Sequence, residues 1–348
     1  FTSVLYFPTF YPVNRAFCEA AGDTYATSPE TVLSNGAFVL TSYEPAATSF
    51  TLAKNEKYYD AARVQLDGLN YQVIKDSQTA LLSYQNGDLD VVTLSGDQVE
   101  LVQDDPEFIP VNAGYLWYVT VNQAQYPELA NVNFRKALAA AYDRDAIAAA
   151  IVKDGSTPAT FAVPAGFAYG PDGKDFRETG YTYEGFDKES AKKFYEAACA
   201  ELGVSSFSLT LLVEDDATAQ NVAAFIQNEW MSTLPGVNVE LKVETKKQRV
   251  QDIQDGNYNV CLTRWGPDYA DPMTYLNMWI TDNSNNYGLW SNAEYDEIIK
   301  SSISGELALD KTARWQALKD AEKIIMDNMV ILPVYQKANA MMIKTGVT

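Results

Sequence analysis

Apolar and polar residues follow a repeating order between residues 206 and 264, and this order predicts alternating strands and helices. Three short apolar runs are typical of buried strands and read SFSLTLLV, GVNVELKVE and NYNVCLTR. The two segments between them have helical character and read TAQNVAAFIQNEWMSTL and KKQRVQDIQDG. The predicted order is therefore βαβαβ, and short crossovers of this kind give parallel strands with right-handed connections.

The pattern before residue 123 is richer in turn residues and predicts short strands. The strand candidates are NGAFVLTSYEP, SFTLAKNEKYYD, LDGLNYQVIK and YLWYVTVN. Between the last two, a helix is expected to begin with Ser77 as its N-cap and to end at Asn86-Gly87. One face of this helix is predicted to consist of Ala80, Leu81 and Tyr84.

Helical patterns dominate the chain between residues 123 and 330. They lie in NFRKALAAAYDRDAIAAAIVKDG, DKESAKKFYEAACAEL, YDEIIKSSI and LDKTARWQALKDAEKIIMDN, and a last strand is expected in VILPVYQ. Asp143 is a predicted cap within the first segment, and SNAE at 291–294 fits a capping box before the third. The architecture is therefore predicted to be α/β, with one mixed region over 1–122, a second over 123–330, and a return of the chain in 331–348.

The charge of the chain excludes some classes of partner. The 348 residues carry a formal net charge of −20, and their acidic residues are dispersed. Binding to nucleic acid needs clustered Lys and Arg, so no nucleic-acid partner is expected. Docking on an anionic membrane surface is disfavoured for the same reason.

The residue types that are missing exclude several chemistries. The chain has no histidine, which rules out Ser-His-Asp and Cys-His catalysis and any His-ligated metal site in this chain. Its three cysteines, Cys18, Cys199 and Cys261, are far apart and form no CxxC pair. Neither GxxxxGK[ST] nor a GxGxxG after a strand is present. We therefore expect no cofactor and no metal.

The segment RWGPDYADP, residues 264–272, is the candidate functional site. It follows the third strand of the βαβαβ unit, and ligands of open α/β sheets sit outside the carboxyl ends of parallel strands. Gly266 and Pro267 are expected to stop the strand, and Trp265 and Tyr269 offer flat faces suited to recognition. A buried Asp268 would need a cation, which is either Arg264 or an ammonium group of a ligand.

A structural interpretation of the same residues is also open. Trp265 and Tyr269 would then be core residues, and Asp268 would form a turn or cap the helix that follows. Asp271 fits the cap better, because Pro272 would then be the first helical residue. This assignment leaves Asp268 available for another role.

RWGPDYADPMTYLNMW closely resembles the motif of the extracytoplasmic oligopeptide-binding proteins of ABC importers, which are family 5 solute-binding proteins. Other segments agree with this family in order and spacing: SNGAFVLTSYEP, LAKNEKYYD, LLSYQNGDLDVV, NVNFRKALAAAYDRDAI and AEKIIMDNMVILPVYQ. The resemblance covers nearly the whole chain, although only the RWGPDYADP stretch is very specific by itself.

The resemblance implies a periplasmic-binding-protein type II-like bilobed fold with mixed sheets and βαβ units. Residues 1–122 would belong to lobe I, 123–330 would form the ligand-anchoring lobe II, and 331–348 would return to lobe I. Such a protein closes on an extended peptide and delivers it to the permease subunits of an ABC transporter, without chemistry on the ligand. It is expected to act as a monomer.

The resemblance also implies roles for individual residues. Asp268 would meet the peptide's ammonium group beside Trp265, and Tyr118 would belong to an aromatic cluster near the cleft and hinge. The candidate ligand-binding residues are therefore Trp265, Asp268, Tyr269, Tyr118, Arg264 and Gly266.

The chain departs from the family at several points. Some enteric members read the peptide's carboxylate with arginines, and the aligned positions here are Ile253 and Leu262. The family also has an N-terminal portion and a continuation after the last strand. We therefore expect this sequence to be a fragment with an incomplete first lobe and without the signal segment. The protein is expected outside the cytoplasm, in the periplasm or as a cell-surface lipoprotein.

Two other functions remain open from the sequence. A member of the same family could bind an oligosaccharide, a nickel chelate or another small solute, and a sugar would stack on Trp265 and Tyr269. An enzyme such as a glycosidase could use Asp268 and Asp271 as paired carboxylates, but their spacing in a turn does not establish a catalytic separation. The sequence favours a binding protein over an enzyme.

Overall fold

A computed structural model describes residue 5 and residues 8–44, 46–74 and 76–347 of the chain. Pro45 and Lys75, which end two of the predicted strand segments, lie outside the described residues. The chain divides into two compact units, Phe1–Leu89 and Asp90–Thr348. The assignment of residues 1–122, 123–330 and 331–348 to two lobes stays a prediction.

The first unit contains a small antiparallel sheet. Its described helices and strands are α1 (Arg15–Ala21), β1 (Phe38–Ser42), β2 (Ser49–Lys54), β3 (Gly68–Gln72) and α2 (Ser77–Gln85). The strand order is β1-β2-β3, with both pairs antiparallel. Short 3-10 turns lie at Pro8–Phe10, Gly22–Thr24, Pro29–Thr31 and Ala61–Arg63.

The prediction for α2 was right about its face and end and wrong about its cap. Ala80, Leu81 and Tyr84 are buried, and Asn86 is the C-cap, as expected. The N-cap is Asp76 rather than Ser77, because the Asp76 carboxylate accepts a hydrogen bond from the Thr79 backbone N–H at 2.8 Å. A carboxylate one residue earlier therefore takes the role assigned to the Ser77 hydroxyl.

The second unit alternates strands and helices. Its elements up to residue 202 are β4 (Val91–Leu94), α3 (Asp97–Glu100), β5 (Phe108–Val121), α4 (Pro127–Ala130), α5 (Val132–Ala140), α6 (Arg144–Ala146), a π-helix (Ile147–Val152), β6 (Thr157–Pro158) and α7 (Lys188–Leu202). After these come β7 (Phe207–Glu214), α8 (Ala217–Thr233), β8 (Val237–Glu244), α9 (Lys246–Gln254), β9 (Val260–Trp265), α10 (Met273–Leu276), α11 (Ala293–Ser304), α12 (Lys311–Asp327) and β10 (Ile331–Ile343), with 3-10 turns at Asn277–Trp279 and Glu306–Leu309.

The sheet of the second unit is mixed. Its described strands have the order β4-β10-β5-β9-β7-β8, with β6 paired to β10. β7 runs parallel to both β8 and β9, which confirms the predicted βαβαβ unit. β5 joins this parallel part to β10 through antiparallel pairs.

Two helix starts in this unit test the predicted caps. Asp143 caps α6 as expected, accepting from the Ala146 N–H at 3.0 Å. At α11 the cap is Asn292, which accepts from the Tyr295 N–H at 2.9 Å, so the Ser291 capping box was wrong by one residue. An Asn side chain caps a helix as well as Ser does, and here it begins the helix one residue later.

The sheet of the second unit is buried on both faces along the second half of β5, from Leu116 to Val121. Trp117, Val119 and Val121 belong to a first core with α5, α7 and α8. Leu116 and Tyr118, which point to the other face, belong to a second core with α10, α11 and α12. The carboxyl end of β9 therefore lies between two packed layers, which hold the segment that follows it.

Candidate functional site

RWGPDYADP begins in a strand and leaves it at the predicted place. Trp265 is the last residue of β9 and pairs with Leu116 of β5, while Arg264 pairs with Trp117. β9 is parallel to β7, so the segment starts at the carboxyl end of the parallel part of the sheet. This is the edge at which open α/β sheets bind ligands.

Gly266 is required by a close approach of an aromatic ring. A Cβ atom at this position would lie 2.5 Å from Cε1 of Tyr115, which belongs to the neighbouring strand β5. The side-chain hydrogen of glycine leaves room for the ring, and any larger residue would push it away. Gly266 therefore allows the Tyr115 ring to pack against the start of the turn, and its role in ligand binding stays a prediction.

Three of the predicted aromatic residues share one core. Tyr118 belongs to the second core, and Trp265 and Tyr269 are half-buried against it. The Tyr118 ring makes an edge contact with Trp279 at 5.9 Å between centroids. Burial raises the pKa of both Tyr118 and Tyr269, so both phenols stay neutral near pH 7. The core interpretation of Trp265 and Tyr269 is therefore confirmed, and their role in ligand binding stays a prediction.

Asp268 is an exposed carboxylate that the described part of the chain does not pair with a cation. Its backbone N–H donates to the Thr274 hydroxyl at 3.0 Å, which fixes the turn, but no Lys or Arg among the described residues forms a salt bridge with its side chain. Partial desolvation raises the pKa of this carboxyl above its usual range. Its chemistry suits the binding of a cation from outside the chain.

Asp271 holds the start of the next helix, but it is not the N-cap that the sequence predicted. Its carboxylate accepts from the Met273 backbone N–H at 2.9 Å and from Nη1 and Nη2 of Arg314 at 2.8 and 2.9 Å. The predicted cap was wrong by one residue, because the α-helix begins at Met273 with Pro272 as its N-cap, but the Asp271 carboxylate still binds the first N–H of the helix. This fork-shaped pair ties the start of α10 to α12.

Arg264 does not neutralise Asp268. Its Nη1 donates to Oε1 of Glu214 at 2.6 Å, and its guanidinium carbon lies 4.6 Å from the centroid of the Trp117 ring. Glu214 is buried at the end of β7, so this pair joins the ends of two parallel strands. The parallel pairing of β7 with β9, in which Leu212 lies opposite Cys261, brings Glu214 to the end of β9 that carries Arg264.

A cavity of about 250 Å³ lies beside the segment. Its wall includes Trp265, Arg264 and Tyr118, which were predicted as ligand-binding residues, and also Tyr115, Lys246 and Arg249, which were not. One signal could have found the last two: Lys246, Arg249, Val250 and Ile253 recur at helical spacing, so they share a face of α9. Leu262, one of the two positions aligned with enteric arginines, is instead fully buried in the first core.

Two further kinds of site were sought in the described residues. No group of three or more His, Cys, Asp or Glu side chains there is placed to hold a metal ion. Nor does any helix in that part of the chain combine the length and apolar character needed to cross a membrane.

Comparison with known proteins places the chain in a family. The model of the bacterial extracellular solute-binding proteins, family 5 Middle, matches residues 1–287. A dipeptide-binding protein of Lactococcus lactis subsp. cremoris is 30% identical over 357 residues, which cover 98% of this chain and 64% of that protein. The chain therefore spans less than two thirds of the length of this relative.

Solved structures agree with this assignment. Listeria monocytogenes OppA bound to peptide is 33% identical with a TM-score of 0.78, over 98% of this chain and 66% of that one. The substrate-binding domain of an oligopeptide ABC transporter from Bacillus anthracis is 34% identical with a TM-score of 0.80, over 98% and 67%. The predicted α/β class with mixed sheets and βαβ units is confirmed. The chain belongs to the family 5 bacterial extracellular solute-binding proteins.

Proposed function

We propose that the protein binds extended oligopeptides outside the cytoplasm and delivers them to an ABC-type permease for uptake. In this proposal the peptide's α-ammonium group pairs with Asp268, and no bond of the peptide is broken. The name of the Lactococcus lactis relative and the peptide bound to the Listeria monocytogenes structure support the ligand class. In this proposal the protein acts as a monomer.

The difference between Asp268 and Asp271 is the observation that carries this proposal. Both acids lie in the same turn, yet Asp271 is bound by Arg314, whereas Asp268 has no cation partner among the described residues. Desolvation already raises the pKa of Asp268, so an ammonium group would relieve an unfavourable environment. An ammonium group carries three donors and matches an acceptor-only carboxylate.

The surroundings of Asp268 suit a peptide backbone. Trp265 and Tyr269 flank it in sequence, and both are anchored in the second core, so they are held in place before a ligand arrives. Aromatic side chains of this kind give contact area at a low cost in conformational entropy. We infer that they wall the space in which the first residue of the peptide lies.

Calorimetry of the full chain with a free-amine tripeptide tests the proposal. Substitution Asp268→Ala is expected to weaken binding by about 100-fold or more, because the bound peptide is proposed to cover the carboxylate, and its loss then leaves a desolvated ammonium unpaired. N-acetylation of the peptide should cause a similar loss in the wild-type protein. The matched control is Asp104→Ala, an exposed acid outside the site, which should bind as the wild type does. An unchanged affinity for Asp268→Ala would remove Asp268 from the site.

A thermal-shift panel addresses the alternative ligand. At equal concentration, peptides that bind more tightly are expected to raise the melting temperature more, and oligosaccharides are expected to have no effect. Stabilisation by a sugar alone would contradict the proposed ligand class.

A further inference from the structure

The cavity beside RWGPDYADP has an excess of positive charge. Lys246, Arg249 and Arg264 are on its wall, and no Asp or Glu is among the described residues that form this wall. Glu214, behind the wall, neutralises one of the three charges: it lies 2.6 Å from Arg264 and 3.5 Å from Arg249. A local excess of this kind contrasts with the net charge of −20 of the whole chain.

Arg249 is buried and incompletely paired. Only 4% of the residue is exposed, its Nη1 donates to the Thr263 hydroxyl at 2.7 Å, and its Nη2 makes the long contact with Glu214. Its buried Nε has no acceptor in the described part of the chain. The Cys261 thiol is within hydrogen-bonding reach of the Arg249 guanidinium, but burial raises the pKa of this thiol to about 12, so the sulfur stays neutral and accepts only weakly.

A second donor on the same wall is also without an acceptor. The indole Nε1 of Trp265 is buried and makes no hydrogen bond with the described residues. A buried donor that loses its water partner costs free energy unless an acceptor replaces the water. Arg249 and Trp265 therefore both contribute to the wall of this cavity, and each has one buried N–H group without an acceptor among the described residues.

We propose that this cavity binds a carboxylate carried by the ligand, and that it thereby selects peptides with an acidic side chain. The inference rests on the proposed function, because the ligand is taken to be a peptide. A guanidinium fork matches the geometry of a carboxylate, and hydrogen bonds between charged groups are stronger than neutral ones. The volume of about 250 Å³ is below that of pockets for drug-sized molecules and suits a single side chain.

Lys246 adds charge without depending on burial. It is exposed at the first turn of α9, whose N-terminus carries a partial positive charge of its own. Its neighbour Lys247 is also exposed but does not contribute to the cavity wall. The two lysines therefore form a matched pair for an experiment.

The test is calorimetry of the full chain with alanine tripeptides that carry one Glu or one Gln at each position in turn. Each peptide is prepared as a free acid and as a C-terminal amide, so that a side-chain carboxylate is distinguished from the terminal one. We expect at least one Glu peptide to bind about tenfold or more tightly than its Gln counterpart, in both terminal forms. A loss on amidation with no Glu/Gln difference would assign the cavity to the terminal carboxylate and overturn the side-chain selection.

Variants locate the effect in this cavity. Lys246→Met is expected to reduce the Glu/Gln ratio by about threefold or more, while Lys247→Met leaves the ratio unchanged. Arg249→Lys keeps a charge beside Glu214 but loses the fork, and it should reduce the ratio further. Thermal unfolding of each variant verifies that it is folded.

The outcomes separate this inference from the proposed function. If Glu and Gln peptides, acids and amides, all bind within about twofold and still depend on Asp268, the carboxylate site is wrong and the peptide-binding function stands. If no peptide binds at all, both are wrong.

Discussion

The two carboxylates in the turn after β9 differ in whether the chain supplies a cation partner. At one end Asp271 accepts three hydrogen bonds, two of them from Arg314, and joins α10 to α12. At the other end Asp268 is exposed and has no cation partner in the described residues. Where a carboxylate holds the fold together, the chain supplies its partner. Where it does not, the partner is proposed to come with the ligand.

Glu322 in α12 extends this comparison to the interior. It is fully buried, pairs with Arg177 and accepts the backbone N–H groups of Ala162 and Val163 at 3.0 and 2.8 Å. Burial raises the pKa of this carboxyl, and the contact with Arg177 opposes that shift. These contacts hold the loop around residue 162 against α12. All of these partners of Glu322 therefore serve the fold.

The largest effect on stability is expected from Glu322→Gln. The substitution keeps an oxygen for the two backbone N–H groups but leaves the Arg177 charge buried without a counter-charge. Loss of one partner of a buried pair costs about 3–5 kcal/mol of unfolding free energy. Urea denaturation measures it, and Asp327→Asn, in an exposed pair with Lys323 on the same helix, should change stability by less than about 0.5 kcal/mol. Equal effects of the two variants would contradict the assigned role of burial.

Asp271→Ala is expected to destabilise the fold by about 1–2 kcal/mol, because it removes both a helix cap and a half-exposed ion pair. Asp271→Asn should cost less, since an Asn oxygen still caps the helix. Thermal denaturation of the two variants separates the cap from the pair. If Ala and Asn were equally tolerated at this position, the cap would have no energetic role.

The affinity for a free-amine, C-terminally amidated peptide is expected to decrease as the pH is lowered. Binding of an ammonium requires ionised Asp268, whose pKa is raised by partial desolvation. As the pH falls through this pKa, one proton must be released on binding, and the affinity drops by up to about tenfold per pH unit. The decline should begin at a higher pH than for an ordinary carboxyl. Calorimetry across this range should find no such decline in Asp268→Asn.

The smallest effect is expected from Asp268→Asn on stability. The raised pKa means that ionisation of this group opposes folding at neutral pH, and the effect disappears as the pH falls below the pKa of the unfolded chain. The variant should therefore be as stable as the wild type or more stable, by at most about 0.5 kcal/mol at pH 7. Asp271→Asn, measured by the same chemical denaturation, is the matched control. A clear loss of stability in Asp268→Asn would contradict the proposed difference between the two acids.

The helical and strand patterns predicted most elements of the second unit. The hydrogen-bond and ion-pair partners of individual side chains were visible only in the packed structure. The βαβαβ order was readable because apolar periodicity is local, and the same holds for the buried face of α2. The caps at Ser77 and Ser291 were wrong by one residue, since Asp76 and Asn292 compete for the same N–H groups. Several neighbouring polar residues satisfy a cap pattern equally, so the sequence alone does not choose between them.

The sequence by itself determined where the candidate site lies, because a strand, a glycine and two prolines place RWGPDYADP at the end of β9 whatever surrounds it. Only the tertiary structure decided which charges meet there. Arg264 pairs with Glu214, 50 residues earlier in the chain, and Asp271 with Arg314, 43 residues later. Such partners lie on other elements, and the sheet register and helix packing that bring them together involve long-range contacts absent from any local pattern.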